Sequence, residues 1–345
     1  MNISQKFLRD FFYIWNMKKT LIILSFFISI FTFAQIEKLS GKWILDKVLY
    51  KDGNNLEINS PYYSYFSKYE FRDNYLYIDT GKQKIKVDSK QIKSDFRTLN
   101  YFFVDNFLVL EDIDDKEKKV FAFLRPNDFI NRYPEFAPKR EMRNGKNVLV
   151  CNEVFEPNFN YEDSYNDFLI RNTPQGDSKD DIDLFFKIEY ILTKDNKIDY
   201  IKVLDSKTPS YDSNYISALK KAEKYYKNPF NEDLLIIQEE QFLKWRNDLT
   251  NKEEIKLYDI RRNISQYYEV NKFEEIAKEY EKLKSLNIGE NRFNSFFEET
   301  FIKSGIAFLA LNNNVKACEC FEKAGDKTNF KVRNYLINFC DKTKN

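Results

Sequence analysis

The positions of the prolines divide this chain into parts that fold under different constraints. Five of the eight prolines lie between residues 126 and 174, and none follows Pro229. A proline donates no backbone hydrogen bond and does not fit inside a helix, so we interpret residues 126–160 as a linker between domains. The last third of the chain has no proline and is therefore free to form continuous helices.

The beginning of the chain has the pattern of a secretory signal peptide. An uncharged apolar run over residues 20–33 follows two lysines and leads to the small residue Ala34. This run is shorter than the roughly 20 residues that a membrane helix needs. We expect residues 1–34 to be removed and the rest to work in the periplasm or outside a Gram-negative cell. Met17 heads a complete signal peptide, so residues 1–16 are interpreted as a mis-assigned start. The alternative to a cleaved signal peptide is a retained N-terminal anchor.

Composition excludes several classes of function. Residues 35–345 carry 51 basic and 53 acidic side chains, a balance that gives no electrostatic surface for nucleic acid. The chain has no histidine, which excludes catalytic triads and histidine-based zinc sites, and its eight glycines form no phosphate-binding loop. We therefore predict no catalytic residue, no cofactor and no metal ligand, and a protein that is not an enzyme.

Two sets of residues leave alternatives open. Two acidic runs are interpreted as solvated turns, and a carboxylate-dependent hydrolase or a calcium site is the alternative. A disulfide from Cys340 to Cys318 or Cys320 is one reading of the cysteines in the last third, and plain core residues are the other. The acidic runs are Asp112, Asp114 and Asp115, and Asp177, Asp180, Asp181 and Asp183.

Residues 35–125 show the two-residue period of strands. Apolar residues alternate at Leu99, Tyr101 and Phe103, and similar short runs are separated by turn sequences such as Asp73-Asn74. The spacing predicts seven or eight antiparallel strands in a meander or small barrel.

A short motif connects this first domain to a known family. Gly41 and Trp43 form a Gly-x-Trp pair at the start of the first strand, and Arg125 ends the last one. This arrangement resembles lipocalin-like domains, which place an arginine over the tryptophan. The resemblance implies a barrel that carries a small apolar ligand; because this domain is short, a barrel filled by its own side chains is the alternative that we favour.

In residues 161–240 the two-residue period of strands alternates with the period of helices. A helix is predicted over residues 161–170, followed by a long strand over residues 182–192, a turn in which Asn196 takes a positive φ, and a second strand over residues 198–204. A second helix is predicted to start at Asp212 as its N-cap, and residues 234–237 offer a last strand.

This order of elements resembles the C-terminal domain of TonB. The likeness lies in Phe186-x-Ile188-x-Tyr190, in Asn196 at the position of a turn glycine, and in the strand that leads to Ser206. The resemblance implies a module that adds a strand of a partner protein to its sheet edge.

Residues 241–345 are predicted to be helical and carry the spacing of the tetratricopeptide repeat. Small and aromatic residues recur at the repeat positions, with Ser304 and Asn329 as departures from the pattern. The resemblance implies helix pairs that bind a peptide in a groove or dock on a neighbouring domain, and we favour docking. The matching residues are Phe301, Gly305, Phe308, Ala317, Phe321 and Ala324.

Together these patterns predict a multidomain chain: a small antiparallel β-barrel or meander, an α+β module resembling TonB, and an all-α repeat tail. We expect an exported protein that binds another envelope protein or peptide through the sheet edge of residues 182–204 or the helical groove of residues 255–340. A carrier of a small apolar molecule is the alternative. The mature chain is expected to have no membrane-spanning segment.

Overall fold

The first strands curl into a nearly closed barrel. A computed structural model describes residues 37–78, 81–162, 164–174, 184–242, 246–287 and 294–341. Within them, nine strands share one antiparallel sheet in the order β4-β3-β2-β1-β9-β8-β7-β6-β5. They are β1 (Gly41–Tyr50), β2 (Lys68–Arg72), β3 (Tyr75–Ile78), β4 (Gly81–Lys84), β5 (Lys86–Val87), β6 (Gln91–Lys93), β7 (Thr98–Val104), β8 (Phe107–Asp112) and β9 (Lys119–Leu124).

The first and last strands of the meander, β1 and β9, pair with each other at the centre of the sheet order. The two ends of that order are β4, which pairs with β3, and β5, which pairs with β6. Only Ile85 separates β4 from β5. If the two are counted as one bent strand, the barrel has eight strands. Asp73 and Asn74 take positive φ at the tight turn that the sequence predicts.

Side chains fill the interior of the barrel. The alternation along each strand turns one set of apolar residues inward, and the Tyr69 and Phe123 rings lie 4.6 Å apart inside. Such packing is expected when eight short strands enclose a space just wide enough for side chains. The buried residues of this core include Trp43, Leu45, Tyr69, Phe71, Leu76, Leu99, Tyr101, Leu108, Leu110 and Phe123.

The range predicted to be a linker is structured. It contains helix α1 (Pro126–Arg132), a single turn at Pro134–Phe136, and the hairpin of β10 (Arg140–Arg143) and β11 (Lys146–Val150). Pro126 and Pro134 stand at the first position of their turns, where a missing N–H costs nothing. Pro126 and Pro134 therefore start elements within this range, and β11 joins the next sheet.

A second sheet has the order β10-β11-β16-β13-β14. The hairpin that the sequence predicts in residues 182–204 is confirmed: β13 and β14 are antiparallel, and Asn196 in their turn has a φ of 63°. β16 returns between β13 and β11, which it joins in parallel. The strands are β13 (Leu184–Leu192), β14 (Ile198–Asp205) and β16 (Leu234–Phe242); β12 (Asn158–Phe159) and β15 (Tyr226–Lys227) form a separate pair.

Two helices cover one face of the second sheet. They are α2 (Tyr165–Asn172) and α3 (Pro209–Ala222). The hydroxyl of Thr208 accepts the N–H of Tyr211, so Thr208 is the N-cap of α3 and the prediction of Asp212 is wrong. The acidic run Asp177 to Asp183 and residues 1–34 lie outside the described residues.

The last part of the chain forms two helix pairs and a cap. Its helices are α4 (Lys252–Glu269), α5 (Phe273–Lys284), α6 (Asn294–Ala310), α7 (Asn314–Ala324) and α8 (Phe330–Tyr335), with a π-turn at Leu336–Cys340. Among these described residues, Cys318 and Cys340 form a disulfide and Cys320 is a buried free thiol. The predicted disulfide is therefore confirmed for Cys318 and Cys340, and the alternative of a plain core residue is confirmed for Cys320.

The close approach of α6 and α7 depends on Gly305. A Cβ at this position would lie 2.5 Å from Cε1 of Phe321. We expect Gly305→Ala to lower the free energy of unfolding by about 1–3 kcal/mol, because the fully buried Phe321 must move. Chemical denaturation measures the change, with Gly81→Ala on exposed β4 as the control. Equal midpoints for the Gly305 variant and the wild type would contradict this packing.

The helical part docks on the barrel through α8 and the π-turn, and we call residues 330–340 the strap. The rings of Phe66 and Phe330 stack at 3.7 Å, and Tyr335 lies 5.1 Å from Tyr63. Asn334 Nδ2 also donates to the Tyr63 carbonyl at 3.0 Å. Barrel and helices consequently share one hydrophobic core. Within the described ranges, no helix combines the length and apolar character needed to cross a membrane.

Candidate binding cleft

A large concave feature lies between the barrel and the second sheet. It has a volume of about 920 Å³, near the upper end of the range for small-ligand sites. The outer face of β1–β4 forms one wall, and residues 135–162 with the start of α2 form the other. We call this feature the cleft.

The barrel wall of the cleft is cationic. Strand register aligns Lys42, Glu70, Tyr77 and Lys82 in one row across four strands. Because side chains alternate along a strand, the burial of Trp43 and Tyr69 inside the barrel turns Lys42 and Glu70 outward. Lys68 and Arg72 complete a charged wall of four cations and one carboxylate.

The facing wall has the opposite balance. Its charged residues are four carboxylates and one lysine, namely Glu135, Glu153, Glu156, Glu162 and Lys139. Contacts cross the gap at Lys68 and Arg72: Lys68 Nζ lies 2.6 Å from Glu156 and 3.8 Å from Glu153, and Arg72 donates to Asn160 at 3.2 Å. The cleft is therefore electrically polarised from one side to the other.

A chain of tyrosine hydroxyls lies along the floor. Tyr165 donates to Gln238 Oε1 at 2.6 Å, so its oxygen accepts from Tyr190 at 3.1 Å. The Tyr190 oxygen in turn accepts from Tyr226 at 2.6 Å, since each hydroxyl has one proton. The chain ends at Gln238 Oε1, which also accepts from the Tyr215 hydroxyl at 3.1 Å. Gln238 lines the cleft, and its N–H₂ group donates no hydrogen bond among the described residues.

Burial keeps the thiol and the tyrosine hydroxyls of the cleft in their protonated forms. Burial raises the pKa of the Cys151 thiol to about 12, and burial raises the pKa values of Tyr190 and Tyr226 well above their usual range. These groups are therefore protonated at neutral pH and supply neither a thiolate nor a general base. Burial lowers the pKa of Lys42, which forms no ion pair among the described residues.

The raised pKa of Cys151 has a measurable consequence. A thiol reacts as its thiolate, whose fraction stays very small at every pH well below the raised pKa of about 12. We expect iodoacetamide at pH 8 to leave Cys151 unmodified in the folded protein and to alkylate it after unfolding in urea. Mass spectrometry of the tryptic peptides measures both states, and rapid alkylation in the folded protein would contradict the burial.

The residues that the sequence singles out lie elsewhere and form two clusters. Gly41, Trp43 and Arg125 meet at one end of the barrel, where the Arg125 guanidinium lies 3.9 Å from the Trp43 ring centroid. Arg125 also donates to the Ser40 carbonyl at 2.6 Å. Gly41 has a φ of 100°, and a Cβ there would lie 2.8 Å from Arg125 Nη1. This cluster closes the barrel end.

The second cluster belongs to the helical core. Phe308 and Ala317 are buried with Gly305 and Phe321 between α6 and α7, and Ala324 ends the same face of α7. The Phe321 ring stacks on Tyr335 of the strap at 4.7 Å. These residues hold the strap in place, and Asn196 shapes the turn between β13 and β14.

The predicted sheet edge is β14, because β16 covers β13. Two register shifts interrupt its pairing with β13, and Glu223 accepts the N–H of Ile198 at 2.8 Å. Bulges and exposed charges such as Lys202 are devices that keep an edge strand from pairing with other chains. Docking of a partner strand at this edge stays a prediction.

Sequence reasoning missed the cleft because its walls are distant in sequence. Lys42 is the middle residue of the Gly-x-Trp pair of Gly41 and Trp43. Only the strand register shows that Lys42 faces outward with Lys82. The acidic run at Asp112 forms turns, in which Asp112 and Asp115 accept backbone N–H groups. No protein-family model, no curated protein and no solved structure matches this chain.

Proposed function

We propose that this chain is an exported, non-enzymatic envelope protein that binds an extended peptide or protein segment in the cleft. The carrying observation is the cleft itself, a large site lined by charged and aromatic side chains whose thiol and hydroxyl groups are held protonated by burial. Peptide recognition needs hydrogen-bonding groups and aromatic surface along a groove, and the cleft offers both.

Export and the family resemblances belong to the same proposal. The apolar run over residues 20–33 and the disulfide between Cys318 and Cys340 suit an oxidising compartment. The antiparallel meander, with β4 and β5 counted as one strand, and the Arg125–Trp43 stack favour the lipocalin-like assignment. The helices packed at Gly305 favour the tetratricopeptide-like assignment. The hairpin with Asn196 and the helices beside it favour the TonB-like module.

The helical groove and the barrel carry less weight as binding surfaces. The helices use the strap to dock on the barrel, which supports a structural role for the repeats. The barrel interior holds Trp43, Tyr69 and Phe123, so the packing does not favour the alternative of an apolar-ligand carrier.

Site-specific photo-crosslinking in cells tests this function. A photoreactive phenylalanine analogue replaces exposed Lys82 on the barrel wall or exposed Asn166 on the opposite side, with exposed Lys47 on β1 as the position outside the cleft. We expect mass spectrometry to map both cleft positions, but not Lys47, to one short segment of the same partner. Crosslinks that are equal at all three positions, or absent from both cleft positions, would overturn the proposal.

A further inference from the structure

The two walls of the cleft differ in sign, and this difference restricts the ligand. Lys42 and Lys82 belong to the barrel row, while Glu153 and Glu162 belong to the facing wall. Glu70 and Glu156, the carboxylates that act most strongly on Lys42, are already paired with Arg72 and Lys68. A partly buried cation without an ion-pair partner is unfavourable, and a ligand carboxylate supplies the missing contact.

We propose that the cleft selects a short zwitterionic peptide, with its free carboxylate on the barrel wall at Lys42 and its free ammonium on the glutamate wall. This inference rests on the proposed function and names the class of its ligand. A peptide with both ends free has one charge for each wall. An internal segment of a protein has neither charge in its backbone and gains nothing from the polarisation.

The floor of the cleft fits the middle of such a peptide. Gln238 Oε1 accepts from Tyr165 and Tyr215, and its N–H₂ group, without a partner among the described residues, is a donor for a peptide carbonyl.

Native mass spectrometry with four random tetrapeptide pools tests the inference on the mature protein. The pools share their side chains and differ only at their ends: both free, acetylated, amidated, or acetylated and amidated. We expect the pool with both ends free to bind about tenfold more tightly than either singly blocked pool, and the doubly blocked pool to bind weakest.

A lysine variant identifies the wall. Lys42→Gln should bind the free and the amidated pools equally, because the carboxylate has lost its partner, while the preference for a free ammonium persists. Lys47→Gln, on the same strand but outside the cleft, should retain both preferences. Circular dichroism of each variant verifies that the fold is intact.

The outcomes separate this inference from the proposed function. Equal binding of all four pools in the cleft would overturn the zwitterion inference and leave peptide binding intact. A preference that survives Lys42→Gln unchanged would overturn the role of the barrel wall. Absence of binding by every pool, together with photo-crosslinks at both cleft positions, would show that the ligand is a segment of a longer chain; it would overturn the inference and leave the proposed function intact.

Discussion

Replacing Arg333 by methionine is expected to lower the free energy of unfolding by about 3–5 kcal/mol, the usual effect of leaving one buried charge without its partner. Arg333 on α8 lies 3.9 Å from the Asp46 carboxylate on β1, and each side chain is only 1% exposed. Its guanidinium also lies 3.8 Å from the Tyr133 ring. Removal of the cation therefore leaves a carboxylate buried among aromatic rings. Chemical denaturation followed by far-ultraviolet circular dichroism measures the loss.

A double variant serves as the control for this pair. Asp46→Leu combined with Arg333→Met removes both charges, and buried ion pairs replaced by apolar residues of similar volume are often neutral in stability. We expect the double variant to regain most of the stability that Arg333→Met loses. A single variant as stable as the wild type would contradict the buried pair, as would a double variant no better than the single one.

Reduction of the disulfide is expected to destabilise the protein by about 3 kcal/mol, the entropy of closing a loop of this size in the unfolded chain. Cys318 and Cys340 are 22 residues apart in sequence, and the bond fixes the far end of the strap to α7. We therefore expect the strap to gain hydrogen exchange first when dithiothreitol is added. Thermal unfolding with and without the reductant measures the overall effect.

The cysteines provide an internal control for this prediction. Replacing both Cys318 and Cys340 by alanine should lower the unfolding midpoint as reduction does, and dithiothreitol should then have no further effect. Cys320 is buried and unpaired, so it does not replace a lost partner without movement of α7. If reductant shifts the double variant as much as the wild type, the stabilisation has another origin.

Local patterns predicted the elements well where neighbours in sequence are neighbours in space. The hairpin of β13 and β14 needed only alternation and Asn196, and the α6 and α7 pair needed only small residues opposite aromatic ones. The start of α3 was missed although Pro209 marks the first helical position after Thr208. A proline at the first helical position marks this start more clearly than the acidic Asp212 within the first turn.

Long-range pairing explains what the sequence did not predict. The hairpin of β10 and β11 joins the second sheet beside β16, which arrives much later in the chain. Parallel pairing of this kind leaves no local period that marks the partner. Asp46 lies at a break in register between β1 and β9, and such a bulge re-aims a side chain. Its pairing with Arg333 was therefore invisible to periodicity.

The strap also sets the order in which the protein is completed. Phe66, Phe129 and Phe136 emerge early during synthesis, but Phe330, which packs against them, is made long afterwards. A barrel that folds before the strap is synthesised exposes this aromatic face to solvent. Exposed apolar surface of this kind binds chaperones and promotes aggregation. Truncation before the strap would consequently leave this aromatic face of the barrel uncovered for good.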